Sequence, residues 1–166
     1  MRVAQTVIDD FLEPYSCAAR YLKEAEHLDG SIRGYFCIPQ SIYLSEGVSS
    51  GHVNLVDLHI CFNQLAYVSL AENLRMGSIP GVDAGAFGYF RAYRLQGMIY
   101  ALDRVRMRKP ICSESFSGEI TISRVKKRFN TYFIRTSYSF EGSATGRVSL
   151  AMQMEDQFVT QSGQNT

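Results

Sequence analysis

Six hydrogen-bonding side chains interrupt the otherwise apolar segment GHVNLVDLHICFNQLAY at residues 51–67: His52, Asn54, Asp57, His59, Asn63 and Gln64. A buried helix must give each of them a partner, because an unsatisfied polar group away from water costs about 1–3 kcal/mol. Asn54 and Asp57 form an N-x-x-D pattern, which suits a helix N-cap with an acid in the first turn. The same place suits catalysis, since a helix N-terminus offers free N–H groups and partial positive charge that polarise an acyl carbonyl. Asn63 falls mid-helix, where asparagine has poor propensity. Its amide needs either a core hydrogen bond to a surrounding sheet or a ligand.

At 100° per residue, Val56, His59, Asn63, Tyr67 and Leu70 lie close to one face. Asn54 and Asn63 are nine residues apart, so on one continuous helix they point to opposite sides, ~14 Å apart along the axis. Either Asn54 precedes the helix or two subunits assemble the site. His52 and His59 have no evident third ligand, which favours structural or interface histidines over a metal centre. Cys61 reads as a buried, inert thiol rather than half of a Cys–His pair.

The elements that carry these groups follow from periodicity. Residues 3–15 begin as a short amphipathic helix with Val3, Val7, Ile8 and Phe11 on one side, and Pro14 stops it. Tyr15 therefore sits just past a helix end, where its ring can turn inward. Residues 18–27 are ambiguous between helix and strand. IRGYFCIPQSIYL, 32–44, is rich in β-formers, with Pro39 marking an edge or a bulge. After the polar loop SEGVSSG comes the long helix, about 52–74, and then the loop GSIPGVDAGAFG. Four strand-like stretches follow, at 90–107, 116–129, 132–142 and 146–154. In the clearest of them Tyr132, Ile134, Thr136, Tyr138 and Phe140 share a face. Short polar connections favour an antiparallel meander.

One apolar helix with five to six antiparallel strands can be buried only if the sheet wraps it. That is the α+β hot-dog arrangement. Its open sheet edge calls for a homodimer or a higher assembly of dimers. The domain is expected over 1–154, with 155–166 a polar tail.

Composition excludes several classes. Hydrophobic content of 46% with 20% charged residues describes a globular chain, not a disordered one. A formal charge of +1 without a basic run argues against nucleic acid or a membrane surface as partner. No apolar run reaches the ~18 residues of a membrane span. The N-terminus lacks a signal-peptide pattern. Four widely spaced cysteines fit a reduced, cytoplasmic protein with buried thiols and no metal site.

FLEPYSCAARYL (11–22), SIY (41–43), GHVNLVDLHICFNQLAY (51–67) and RMRKPICSESFSGEI (106–120) together resemble the FcoT-type family of bacterial acyl-thioester enzymes. The blocks run in the same order over most of the chain. The resemblance implies the hot-dog fold and a site of four residues around a thioester. These are Tyr15 of EPY, Tyr43 of the following strand block, Asn54 of GHxN and Asn63 of CFNQ. His59 stands where the family carries an aliphatic residue.

The family implies two activities. One is Michael addition of glycine to a (2E)-enoyl group on an acyl carrier protein, in isonitrile lipopeptide or related pathways. The other is hydrolysis of fatty acyl thioesters on CoA or a carrier protein. A non-catalytic acyl-binding subunit is a third reading. Two tyrosines and two asparagines supply neutral donors without an evident strong base. That set suits an enolate-like oxygen and favours glycine addition. His52 or His59 would then serve the glycine amine, and Arg108 its carboxylate. No cofactor is expected beyond the phosphopantetheine that carries the acyl group.

Overall fold

Asn54 sets where the long helix begins. In the computed structural model, which describes residues 1–153 apart from 46, 47, 49, 80, 81, 83–85 and 94–97, its backbone is extended (φ −105°, ψ −179°). Its Oδ1 accepts from the amides of Val56 (2.8 Å) and Asp57 (3.1 Å). Helix α2 then runs Leu55–Arg75, with Asp57 in its first turn and Arg75 in its last, both complementary to the helix dipole. It ends in a Schellman motif. Gly77, at φ 62°, donates to Leu74 O (3.1 Å), and Ser78 donates to Asn73 O (2.9 Å). Asn54 thus precedes the helix proper, so the two asparagines are not two faces of one continuous helix.

Helix α1 spans Gln5–Leu12 and buries Ile8, Phe11 and Leu12. The ambiguous stretch resolves into a 3-10 turn at Cys17–Ala19 followed by strand β1, Leu22–Leu28. Strand β2 is Ser31–Phe36 and stops before Pro39, so Tyr43 lies on a turn rather than in a strand. After α2, helix α3 covers Ala86–Tyr93, and strand β3 starts only at Met98 and ends at Met107. The strand expected from residue 90 is therefore helical at its beginning. The aromatic-rich AFGYFRAY satisfies either period, and Phe90 turns into the core, stacked on Phe11 at 5.3 Å.

Strands β4 (Phe116–Arg128), β5 (Thr131–Phe140) and β6 (Ala144–Gln153) form a true meander. β3 does not join it at the β4 side. The described strands make one antiparallel sheet in the order β1-β2-β4-β5-β6-β3, so β3 pairs with β6 at an edge. The segment 108–115 crosses back to β4. On the way Ile111 O accepts from Val53 N (2.9 Å), and Cys112 bridges His52. That crossing ties the RKP block to the entrance of α2. The predicted face of β5 is buried throughout, from Tyr132 to Phe140. Gly34 and Gly118, opposite each other on β2 and β4, clear space for the ring of Phe140 and for Leu65 of α2.

The sheet covers α2 incompletely. Leu58, Cys61, Phe62, Leu65 and Val68 are fully buried, whereas His59, Asn63 and Tyr67 are half-buried and Leu55 and Val56 exposed. Of the four cysteines, all free, only Cys61 is buried; Cys17 and Cys112 are exposed, contrary to the expectation of buried thiols. No described helix is long and apolar enough to cross a membrane. The tail 154–166 and most of the 77–88 loop's middle lie outside the described residues.

Candidate active site

The structure accounts for the six polar side chains one by one. Gln64 is a staple. Its Oε1 accepts from the Tyr21 and Leu22 amides (3.0 and 2.9 Å) and its Nε2 donates to Ala19 O (2.5 Å). This fixes the start of β1 against the helix. His52 is exposed, on the bridge to Cys112. The remaining four define two places on α2.

The first place is the helix entrance. Because the Asn54 Oδ1 is committed to capping, its Nδ2 must point away from the helix, and it donates to Tyr43 Oη. Tyr43 in turn donates to Asp57 Oδ2 (2.8 Å), and the same oxygen accepts from Ser41 Oγ (2.8 Å). Asp57 is fully buried, and its other oxygen, Oδ1, has no hydrogen-bond partner among the described residues. Tyr21 holds the 40–43 turn in place, accepting from Ile42 N (3.2 Å) and donating to Gln40 O (3.4 Å). Burial first, then the hydrogen bond and charge of Asp57, lift the Tyr43 phenol above its ordinary value. It is a proton donor at neutral pH, not a phenolate.

The second place lies further along the same helix. Tyr15, just past α1, packs against Tyr67 with ring centroids 6.4 Å apart. Burial, then the neighbouring Tyr67 and Cys61, raise its phenol far above the ordinary range. Asn63 opens onto a narrow apolar cavity of about 30 Å³ shared with Tyr67, Leu70, Phe90, Leu150 and Met152. One turn before it, His59 carries a buried Nε2 without a partner among the described residues. Burial pushes the Cys61 thiol well up, so it is no nucleophile at neutral pH.

Of the four predicted residues, Tyr43 and Asn54 meet directly, and Tyr15 and Asn63 flank the next stretch of the helix. Arg108 is exposed and lines a groove with Arg104, Arg106 and Arg147. Sequence reasoning missed Asp57 as a site residue, because an acid in a first helical turn is explained by the dipole alone. It also missed Ser41. The only signal was its place two residues before Tyr43. Among the described residues no cluster of His, Cys, Asp and Glu could hold a metal ion.

Comparison with known proteins agrees with this architecture. A (2E)-enoyl-[ACP] glycyltransferase of Streptomyces coeruleorubidus is 30% identical over 128 residues, 75% of this chain and 76% of that one. Its counterpart from Mycobacterium tuberculosis is 29% identical over 161 residues, 90% of this chain and 86% of that one. Among solved structures, the dehydratase heterocomplex ApeI:P of Xenorhabdus doucetiae superposes with a TM-score of 0.50 at 15% identity, covering 90% of this chain and 91% of that one. At that identity the likeness speaks to the fold. Residues 10–152 match the model of the FcoT-like thioesterase domain, and the chain belongs to that family of hot-dog enzymes.

Proposed function

We propose that this chain adds glycine to the β-carbon of a (2E)-enoyl group held as a thioester on an acyl carrier protein. The observation that carries the reading is the hydrogen-bonded series Asn54–Tyr43–Asp57 at the start of α2. It combines oriented donors with a buried carboxylate, and no free nucleophile accompanies it. Ser41 is buried and donates to Asp57, and Cys61 is held as a thiol. Among the described residues at this place, neither a hydroxyl nor a thiol is free for covalent transfer of the acyl group.

In the proposed reaction the glycine nitrogen attacks the β-carbon and the π electrons move to the thioester oxygen. Asn54 Nδ2 and the N-terminus of α2 stabilise that oxygen as charge develops. The nitrogen loses a proton and the α-carbon gains one, so an N–H adds across the double bond and the C–S bond survives. The product is a 3-(carboxymethylamino)acyl thioester. Asp57, fully buried, keeps the Tyr43 hydroxyl aimed as a donor at this end of the helix. His59, whose Nε2 has no partner among the described residues, serves as the base for the glycine amine. The names of the relatives support the substrate class, and an isonitrile lipopeptide pathway is the context we infer.

We further place the active form as a homodimer. Met1–Val3 covers the β1 edge through Val3 N to Ala25 O (2.9 Å) and the Arg2–Glu26 bridge. The β3 edge and the exposed Leu55 and Val56 are left for a second copy.

Hydrolysis of the thioester is the second reading. Asp57 Oδ1 favours it, since this acceptor could activate a water. Incubation with enoyl-loaded carrier protein and glycine, followed by mass measurement of the carrier, separates the two. Gain of one glycine supports addition. Loss of the acyl chain with glycine ignored refutes it.

A further inference from the structure

Charge in this chain is unevenly distributed. Residues 98–153 carry ten Lys and Arg against four Asp and Glu, although the whole chain has a formal charge of only +1. Four of those cations, Arg104, Arg106, Arg108 and Arg147, line one groove of about 330 Å³ with Thr145 and Tyr138. All four are exposed, and none has an ion-pair partner among the described residues. Asp103 faces Arg147 across the β3–β6 ladder without pairing with it. Four guanidinium groups repel one another unless an anion lies between them.

Two further features shape the groove. The β3–β6 register shifts between Asp103 and Arg106, leaving Arg104 and Val105 opposite the single Gly146. At this bulge Arg104 has φ 54°, a left-handed conformation that costs an L-residue roughly 1–2 kcal/mol and re-aims its side chain. A left-handed arginine held at a bulge beside three further exposed arginines is an arrangement that a bound anion would stabilise.

We propose that this groove binds the phosphate of the phosphopantetheine arm, through Arg104, Arg106, Arg108 and Arg147. The proposal deepens the reading above and rests on it, since it assumes a pantetheine thioester. It gives Arg108 a phosphate in place of the glycine carboxylate. One bidentate arginine serves a carboxylate, whereas a phosphate has oxygens enough for several. The place is right as well. Arg108 is three residues, at most ~10 Å of chain, from Ile111, whose carbonyl holds Val53 beside the Asn54 cap. A phosphate in the groove would leave the arm running toward the helix entrance.

The test uses ligands without an acyl group and needs no turnover, so it gives the same answer whether the enzyme adds glycine or hydrolyses. Phosphopantetheine, pantetheine and CoA are titrated calorimetrically into the whole protein and into Arg104→Ala/Arg147→Ala. Phosphopantetheine should bind at least tenfold tighter than pantetheine, and the double variant should erase that difference. Equal binding of phosphopantetheine and pantetheine overturns the proposal, as does a preference that survives in the double variant. A gain seen only with CoA, and lost in the double variant, assigns the groove to the nucleotide-end phosphates and also overturns it. The mass assay above addresses the reaction separately.

Discussion

Tyr43 donates to Asp57 across fourteen residues of chain, 2.8 Å from oxygen to oxygen, and thereby joins a first-turn helix acid to the candidate site. Removing the hydroxyl with Tyr43→Phe strands the Asn54 Nδ2 and takes one donor from Asp57. We expect turnover of enoyl carrier protein to fall by about 10²-fold, with the far-ultraviolet dichroism of the wild type retained. Asp57→Asn should produce a loss at least as large. A variant of either kind with wild-type kcat would remove the helix entrance from the chemistry.

Asn54 has two tasks that different substitutions separate. Asn54→Ser keeps a side-chain oxygen able to cap α2, so thermal stability should stay within ~0.5 kcal/mol of wild type. It loses the Nδ2 donor, and turnover should drop tenfold or more. Asn54→Ala should lose both, with about 1 kcal/mol of stability gone as the cap fails. Differential scanning calorimetry beside steady-state kinetics reads the two effects. Equal activity in the serine variant and the wild type would reduce Asn54 to a cap.

Asn63 and His59 should show the opposite signature, activity held at the expense of stability. Asn63 makes no capping or staple contact and sits where alanine is the better helix former by roughly 0.5 kcal/mol. Asn63→Ala should therefore unfold at equal or higher urea concentration while turnover falls. His59→Leu removes a buried nitrogen that has no partner among the described residues and should stabilise the fold by about 1 kcal/mol. If His59 is the base, its loss also removes the acid-side limb of the kcat/KM profile. A stabilised His59 variant with an unchanged pH profile would leave the histidine without a catalytic part.

Much of this fold is legible in local pattern, and what is not legible is non-local. The alternation at 131–140 and the Asn54 cap each mark an element to within a few residues, because period and cap chemistry are carried by the residues themselves. The pairing of β3 with β6 is invisible in the short connections, which suggest a meander. The β3-to-β4 crossing is held by Val53 and Ile111, contacts made 58 residues apart in sequence. FRAY, 90–93, reads as the start of a strand because aromatic residues satisfy a period of two as readily as a helical one. Asp57 is not singled out as a site residue by its sequence, because the helix dipole already gives it an adequate local explanation. Tyr43 came only through resemblance, since nothing in SIYL indicates a phenol aimed at a helix.

The far end of α2 offers a prediction about stability alone. Glu72 is 1% exposed, yet it accepts from Arg75 Nε and Nη2 (2.9 and 3.0 Å) and bonds His27 Nε2 (2.8 Å). Burial by itself would raise its pKa, but the hydrogen bonds and charges of Arg75 and His27 win and hold it below the ordinary 4.5. A carboxylate depressed in the folded state adds stability above its unfolded value and loses it as pH falls through the folded one. The wild type should therefore exceed Glu72→Gln by about 2 kcal/mol at pH 7. That margin should shrink as the pH drops below the ordinary 4.5 and vanish in stronger acid. Urea unfolding of both proteins at pH 7 and across the acid range measures it. A difference that stayed constant throughout would show that shape, not charge, is what Glu72 contributes.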